Sequence, residues 1–483
     1  MYNDENVIRI KHDVLYEVAK LAFEGTLEEK RDYIPEKLIP GPVPQFRCCI
    51  YKEREIIRQR VRLAEGKDLS ERESGNVIQV ISSACEGCPI SSYTVTDNCQ
   101  NCLGKACINA CKFGAITMGR DRSYIDPAKC KECGQCAKAC PYNAIVGIKR
   151  PCKIACPVDA ITYDEYNVSV IDKDKCIRCG QCIHNCPFGA IGSQTFIVDV
   201  IEALKSGKRV YAMIAPATEG QFGVDMTMQS WKNALKEVGF TDTIEVGLGG
   251  DLTAASEADE WAEAYAEGKK MTTSCCPAFV NMVNNHFPEL KDNVSTTVSP
   301  MCGVSRLIKS RDPEAYTVFI GPCIAKKSEV KDQQIEGNAD AVLTYSEIRT
   351  ILRAKNVSLK PADNDYQESS IYGKRFGNSG GVTEAVLQCL KETGKEMDAK
   401  VCKANGAAEC KKALLLMKVG KLPEDFIEGM ACEGGCVGGP SAFQDKMKSR
   451  KNRDALLSKA DGRNVHENLK NYDTDQFSMH RAK

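Results

Sequence analysis

The 483-residue chain carries 27 cysteines, and their spacing is its most informative feature. Cys176-x2-Cys179-x2-Cys182-x3-Cys186-Pro187 has an identically spaced copy in Cys130, Cys133, Cys136, Cys140 and Pro141. Three closely spaced thiolates can cap one 4Fe-4S cubane, while the fourth, carried away on the following turn, ligates a neighbouring cluster. Zinc sites seldom use a third cysteine at this spacing. Cys107 and Cys111 recur 45 positions later as Cys152 and Cys156, and Cys130 to Cys140 recur 46 positions later as Cys176 to Cys186. The repeat predicts two ferredoxin-like units in tandem.

The crossed rule gives one cluster Cys99, Cys102, Cys107 and Cys140, and a second Cys111, Cys130, Cys133 and Cys136. Cys156, Cys176, Cys179 and Cys182 form a third set. Ala144 and Gly147 stand in the second unit where Cys99 and Cys102 are expected, which leaves Cys152 and Cys186 two partners short. Cys85 and Cys88 have the spacing to complete a fourth cluster; the alternative is a structural pair. Three or four accessory clusters would form an electron wire whose exit is the Cys176 set, nearest in sequence to the rest of the chain.

Four further segments are of a different kind: Thr273-Ser274-Cys275-Cys276-Pro277, Gly321-Pro322-Cys323-Ile324-Ala325-Lys326-Lys327, Phe376-Gly377-Asn378-Ser379-Gly380-Gly381 and Met430-Ala431-Cys432-Glu433-Gly434-Gly435-Cys436. Cysteines at separated strand ends, with prolines fixing the turns and glycines allowing close backbone approach, suggest a large buried inorganic cofactor. Cys302, Cys389, Cys402 and Cys410 have no partner pattern and are expected to be ordinary packing thiols.

These groups need elements to position them. Residues 1–80 predict a small helical module, with Val14, Leu15, Val18, Leu21 and Ala22 at helical spacing and a charged helical stretch from Tyr51. Residues 81–194, dense in cysteine and turn residues, cannot build an ordinary core and must fold around metal. Residues 195–483 alternate apolar strands (210 to 216, 317 to 322) with amphipathic helices (230 to 240, 383 to 392), which predicts an α/β domain with its ligands at the strand ends. Lys plus Arg equals Asp plus Glu at 65 each, so no charge excess favours nucleic acid or an anionic membrane. With no signal-peptide pattern at the start and no apolar run of about 18 residues, a cytoplasmic chain without membrane insertion is expected, where cysteines serve metals rather than disulfides. The glycines at 247 to 250 and 377 to 381 lack the G-x-G-x-x-G spacing of a nicotinamide or flavin site.

The segments TSCCP, PCxxKKxE and MACxGGC, in that order, resemble the three signatures of the iron-only (FeFe) hydrogenases, over roughly residues 95 to 440. The resemblance implies a C-terminal H-cluster domain behind the ferredoxin-like units. The H-cluster is a 4Fe-4S cubane joined by a cysteine to a two-iron subsite bearing carbon monoxide, cyanide and a bridging dithiolate. By motif, its ligands would be Cys276, Cys323, Cys432 and Cys436, the last shared with the two-iron subsite. Cys275 would relay protons, Lys326 would hydrogen-bond a cyanide, and Ala215, Pro216, Met301, Phe376 and Met430 would line the pocket. Glu257 and Glu260, three apart on one helical face, with Ser295, resemble the family's proton route to Cys275. Gly321, Met301 and Ala278-Phe279 depart from the usual Met, Gln and Gly-Trp, which resembles the group B subgroup. The implied activity is reversible interconversion of protons and electrons with hydrogen, fed by ferredoxin or a similar carrier, after loading by maturation proteins. A low-turnover hydrogen sensor and a non-catalytic iron-sulfur assembly protein are the alternatives.

Overall fold

A computed structural model describes residues 5–85, 88, 93–363 and 367–481. Val210–Ile214 and Tyr316–Ile320 are near-continuous apolar runs, the pattern of strands covered on both faces. They form the centre of a four-stranded parallel sheet, flanked by Asp242–Glu245 and Ala341–Leu343. A second parallel sheet places Phe426–Met430 between Met271–Thr272 and Val401–Asn405. Helices complete the α/β architecture. Met228–Val238 starts on a capping box between Thr227 and Ser230 and buries Met228, Trp231, Leu235 and Val238 on one face. The long helix Val246–Ala266 packs against Pro300–Arg311, Ile371–Arg375 and Gly381–Glu392.

The cysteine-rich region is a set of two-stranded antiparallel ribbons. In the first ferredoxin-like unit Tyr93–Val95 pairs with Ile145–Gly147, and Ile116–Met118 with Ser123–Ile125. In the second, Ile161–Tyr163 pairs with Ser169–Ile171, and Ile191–Ser193 pairs with Ile78–Val80. The strand equivalent to Tyr93–Val95 therefore comes from chain that precedes the first unit. The expected tandem order is in fact a nested one, with residues 93–147 inserted into the second unit. The cysteine repeat registers only the halves that follow one another in sequence, whereas strand pairing recruits Ile78–Val80 from the chain ahead of the first unit.

The helices expected in the first eighty residues are Glu5–Glu24 and Ile50–Ala64. They have no core to themselves. Val14, Val18, Ala19, Ile57 and Val61 are buried in one cluster with Ile197, Val200, Ile201, Ile348 and Ile351, so these helices brace the α/β domain. Lys327 is wholly buried, pairing with Glu347 at 2.5 Å and donating to Gln194 O and Ser193 Oγ at the edge of the ferredoxin-like region. No helix among the described residues is long and apolar enough to cross a membrane.

Candidate metal centres and proton path

None of the accessory cysteines is joined in a disulfide. One cavity is lined by Cys99, Cys102, Cys107 and Cys140, and another by Cys111, Cys130, Cys133 and Cys136. Cys156, Cys176, Cys179 and Cys182 lie close enough for their charges to act on one another, and burial pushes Cys179 up to about 12 and Cys182 well above the usual thiol range. Cys85, Cys88, Cys152 and Cys186 form a fourth group in the same sense; burial raises Cys88 to about 11, against the pull of the nearby Arg150. Backbone amides donate to sulfur at Cys140 (3.4 Å), Cys156 (3.2 Å), Cys186 (3.3 Å) and Cys85 (3.3 Å). Such bonds stabilise a thiolate and tune the potential of whatever it binds.

The other cysteines stand at the carboxyl ends of parallel strands, where open α/β sheets place their ligands. Met271–Thr272 leads into Cys275 and Cys276, Tyr316–Ile320 into Cys323, and Phe426–Met430 into Cys432. Cys276, Cys323, Cys432 and Cys436 converge there: Cys276 acts on the charge of the other three and Cys436 on those of Cys323 and Cys432, while burial lifts Cys323 to about 12, Cys436 to about 11 and Cys432 well above the usual range. Gly435, at φ 82°, lets this loop meet the segment after Phe376. A Cβ there would lie 2.4 Å from Gly377 O, and the Cys436 amide donates to that same oxygen at 2.8 Å. Four thiols brought together in this way, three of them held protonated by their surroundings unless a cation compensates, are a donor set suited to a cluster bearing several ferrous and ferric charges.

The third accessory group abuts this space. Cys179 is among the charges acting on Cys432. Gly180, at φ 81°, passes so close that a Cβ would lie 2.9 Å from Ile324 and 3.0 Å from Pro440. The helix Pro277–His286, which starts directly after Cys276, reaches back to the same cluster loop: Asn281, Asn285 and His286 bond the carbonyls of Ile177, Cys176 and Lys175.

Around the four thiols, Met301 and Ala215 share one buried cluster with Phe319, and Phe376, Met430 and Cys275 share another. Pro216 opens a single 3-10 turn. Lys326 is buried, its ammonium 3.1 Å from both Ser299 Oγ and Glu329 Oε2, and Cys323 and Cys436 act on its charge. Gly321 is tight, since a Cβ would lie 2.8 Å from both the Ala215 methyl and the Phe319 ring. Cys302, Cys389 and Cys410 are fully buried in apolar surroundings, and Cys402 is partly buried.

Cys275 is enclosed, and burial together with Glu257 raises it well above an ordinary thiol. Glu257 accepts from the Ser274 amide at 3.1 Å and hydroxyl at 3.3 Å. Its other oxygen, Oε2, is buried with no hydrogen bond of ordinary length, although Ser295 is near enough to pull its pKa slightly down. Burial nevertheless lifts the Glu257 carboxyl to about 8. Ser295 Oγ donates to Glu260 Oε2 at 2.5 Å. The four groups therefore run as a file from the strand end to the outside of the long helix.

Two residues at this site were not marked out by spacing. Arg453, from the charged helix Lys446–Leu457, is wholly buried; it donates to Pro216 O at 3.3 Å and to Asn378 Oδ1 and Lys374 O, fastening the turn at Pro216 to the helix Ile371–Arg375 and the loop that follows it. His480 contacts Glu260 from a distant part of the chain. Nothing in a lysine-rich helix or a lone histidine signals such contacts in advance.

Cysteine-rich ferredoxin-like ribbons set beside a four-thiol centre at the strand ends of an α/β domain define an iron-sulfur protein architecture. Residues 208–440 match the family described as iron only hydrogenase large subunit, C-terminal domain, and residues 123–146 and 169–192 match the 4Fe-4S binding domain. The chain is 33% identical over 371 residues to the periplasmic Fe hydrogenase large subunit of Nitratidesulfovibrio vulgaris, covering 65% of this chain and 85% of that protein. It is 24% identical over 246 residues to a probable cytosolic Fe-S cluster assembly factor of Brugia malayi, covering 42% of this chain and 55% of that one. A solved FeFe-hydrogenase HydA1 from Chlamydomonas reinhardtii aligns with a TM-score of 0.48 at 22% identity, covering 56% of this chain and 91% of that one. The chain belongs to the iron-only hydrogenase family.

Proposed function

We propose that this protein is a hydrogenase that interconverts two protons and two electrons with molecular hydrogen, exchanging electrons with ferredoxin or a similar small carrier through its accessory clusters. The observation that carries the reading is the juxtaposition of the four-thiol centre with a buried, non-ligating thiol, Cys275, and the file of Glu257, Ser295 and Glu260 leading away from it. Cys276, Cys323, Cys432 and Cys436 would hold the cubane, with Cys436 shared, and a two-iron subsite bearing carbon monoxide, cyanide and a dithiolate would supply the open iron at which hydrogen is made or split. Cys275 holds a proton on sulfur at the inner end of the file. Glu257, protonated near neutral pH, passes a proton between that thiol and Ser295, whose hydroxyl hands it on to Glu260. Lys326 spends two of its N–H donors on Ser299 and Glu329 and offers the third to an anionic ligand. Arg453 and Met301, Phe376 and Met430 keep water from the pocket and hold its loops.

Electrons would enter through the outer clusters and leave by the Cys176 set, beside Cys432. Four accessory clusters fit the four groups of thiols, the fourth drawing on Cys85 and Cys88. The departures at Gly321, Met301 and Ala278-Phe279 support membership of group B, and a cytoplasmic setting suits the free thiols. A role in iron-sulfur assembly is the second reading, favoured by the similarity to an assembly factor; against it stands the retention of Cys275, Lys326 and a long chain of clusters, which a protein without turnover does not need. Anaerobic loading with the two-iron subsite, followed by infrared spectroscopy and a hydrogen assay, tests the proposal. Bound carbon monoxide and cyanide bands with hydrogen evolution are expected; failure to take up the subsite in the presence of maturation proteins would leave the assembly reading.

A further inference from the structure

Glu260 is the outermost group in the file of Cys275, Glu257, Ser295 and Glu260, yet only a small part of it meets water. Its side chain is 16% exposed, and both oxygens are occupied. Oε2 accepts from Ser295 at 2.5 Å and from the Thr296 amide at 3.2 Å; Oε1 accepts from that amide at 3.1 Å, from the Thr296 hydroxyl, and meets His480 Nδ1 at 3.2 Å. The same Nδ1 lies 2.8 Å from Thr296 Oγ1. His480 covers the carboxylate while half its own side chain, 49%, faces solvent.

The ring is held there by a built arrangement. Residues 479–481 lie antiparallel against the segment after Ser295: Val298 N donates to Met479 O at 2.7 Å, Arg481 N donates to Thr296 O at 2.8 Å, and Thr297 pairs with His480. Arg306 Nη1 donates to Ser478 O at 2.5 Å and to His480 O at 2.9 Å, Arg481 Nη2 donates to Ser274 O at 3.3 Å, and the Met479 side chain packs into the apolar cluster of Leu248, Leu252 and Leu307. Side chains alternate along an extended segment, so anchoring Met479 and Arg481 inward sets His480 over Glu260. The charged groups around the ring are Glu260 from the long helix, Arg306 from the neighbouring helix and Arg481 beside it in sequence. Both guanidiniums are turned to carbonyl oxygens, and the carboxylate is the charged group that bonds the imidazole.

We propose that His480 is the port through which protons pass between water and the path to Cys275, an inference that rests on the hydrogen-converting function proposed above. An imidazole changes its charge near neutral pH and has two nitrogens, so it can take a proton on the solvent side and release one from Nδ1 to the Glu260 carboxylate. The transfer moves one proton and no electrons: Nε2 takes a proton from water, Nδ1 gives one to Glu260, and the Nε2–H tautomer that results returns to the Nδ1–H form by losing its Nε2 proton to water and regaining one on Nδ1. Thr296, bonded to both partners, fixes their separation.

The test uses protein carrying its iron-sulfur clusters without the two-iron subsite. Infrared spectroscopy follows the S–H stretch of Cys275, identified by its loss in Cys275→Ala, after transfer to deuterium oxide. His480→Ala and His480→Gln are expected to slow its exchange about tenfold near neutral pH, to keep the wild-type melting temperature, and to recover with added imidazole; in the loaded enzyme, turnover follows the same order. Glu260→Gln is the control and slows exchange whatever delivers protons at the surface. Wild-type exchange in both His480 variants alongside slow exchange in Glu260→Gln overturns the port and leaves the path. Equal rates in all of them overturn both. Slowing that imidazole fails to reverse makes His480 a structural clamp and also overturns the proposal.

Discussion

Glu257 is a carboxyl group enclosed in protein, with one oxygen bonded to Ser274 and the other without a hydrogen bond of ordinary length. Burial disfavours its charged form and raises it from 4.5 to about 8. The fold therefore binds a proton that the unfolded chain releases. That contribution to stability is complete below about pH 4.5 and is lost as pH rises through about 8. Glu257→Gln, which stays neutral, should show a shallower fall in melting temperature between about pH 5 and pH 9 than the wild type does; parallel profiles would mean that Glu257 is ionised in the fold. The same neutrality fits Glu257 for donating toward Cys275. Cys275→Ala is accordingly expected to leave iron content intact while lowering hydrogen turnover by about 100-fold or more, the scale of a lost proton-transfer group. Unchanged turnover in an anaerobic assay would remove Cys275 from the path.

Among the elements, the loops at the strand ends carry the demands of the site. The Cys432 to Cys436 loop can approach the Phe376 to Gly381 segment only because Gly435 has no side chain and sits at positive φ. Gly435→Ala should cost about 1 to 3 kcal/mol and displace Cys436, so that the centre at the strand ends loses its iron while the ferredoxin-like units keep theirs. Iron analysis combined with electron paramagnetic resonance distinguishes the two. Arg453, from outside the sheets, ties the turn at Pro216 to the helix Ile371–Arg375 and the loop after it. Arg453→Met removes one buried donor group and leaves Pro216 O, Lys374 O and Asn378 Oδ1 without it, so a loss of about 2 to 4 kcal/mol is expected in thermal or denaturant unfolding. A change within about 0.5 kcal/mol would show that these loops are held by other contacts.

At the scale of the whole molecule, nesting one ferredoxin-like unit inside the other brings Cys85 and Cys88 to Cys152 and Cys186, and through Lys327 the second unit is tied to the α/β domain. Replacing Cys85 and Cys88 together by Ser should lower the iron content by about four atoms per chain; an unaltered content would return the pair to a structural role. The sequence by itself determined which thiols lie grouped within a few residues of one another, because Cys-x2-Cys and Cys-x3-Cys spacings limit thiol separations through covalent geometry. It also determined that strands end at Cys276, Cys323 and Cys432, because apolar runs closed by proline and glycine leave little alternative. Only the tertiary structure decided that Ile78–Val80 completes the second unit, that the N-terminal helices share the core of the α/β domain, and that Arg453 and His480 reach the site. Those contacts join residues far apart in the chain, so their distances are set by how sheets and helices pack around a common core, and no local pattern of residues encodes that.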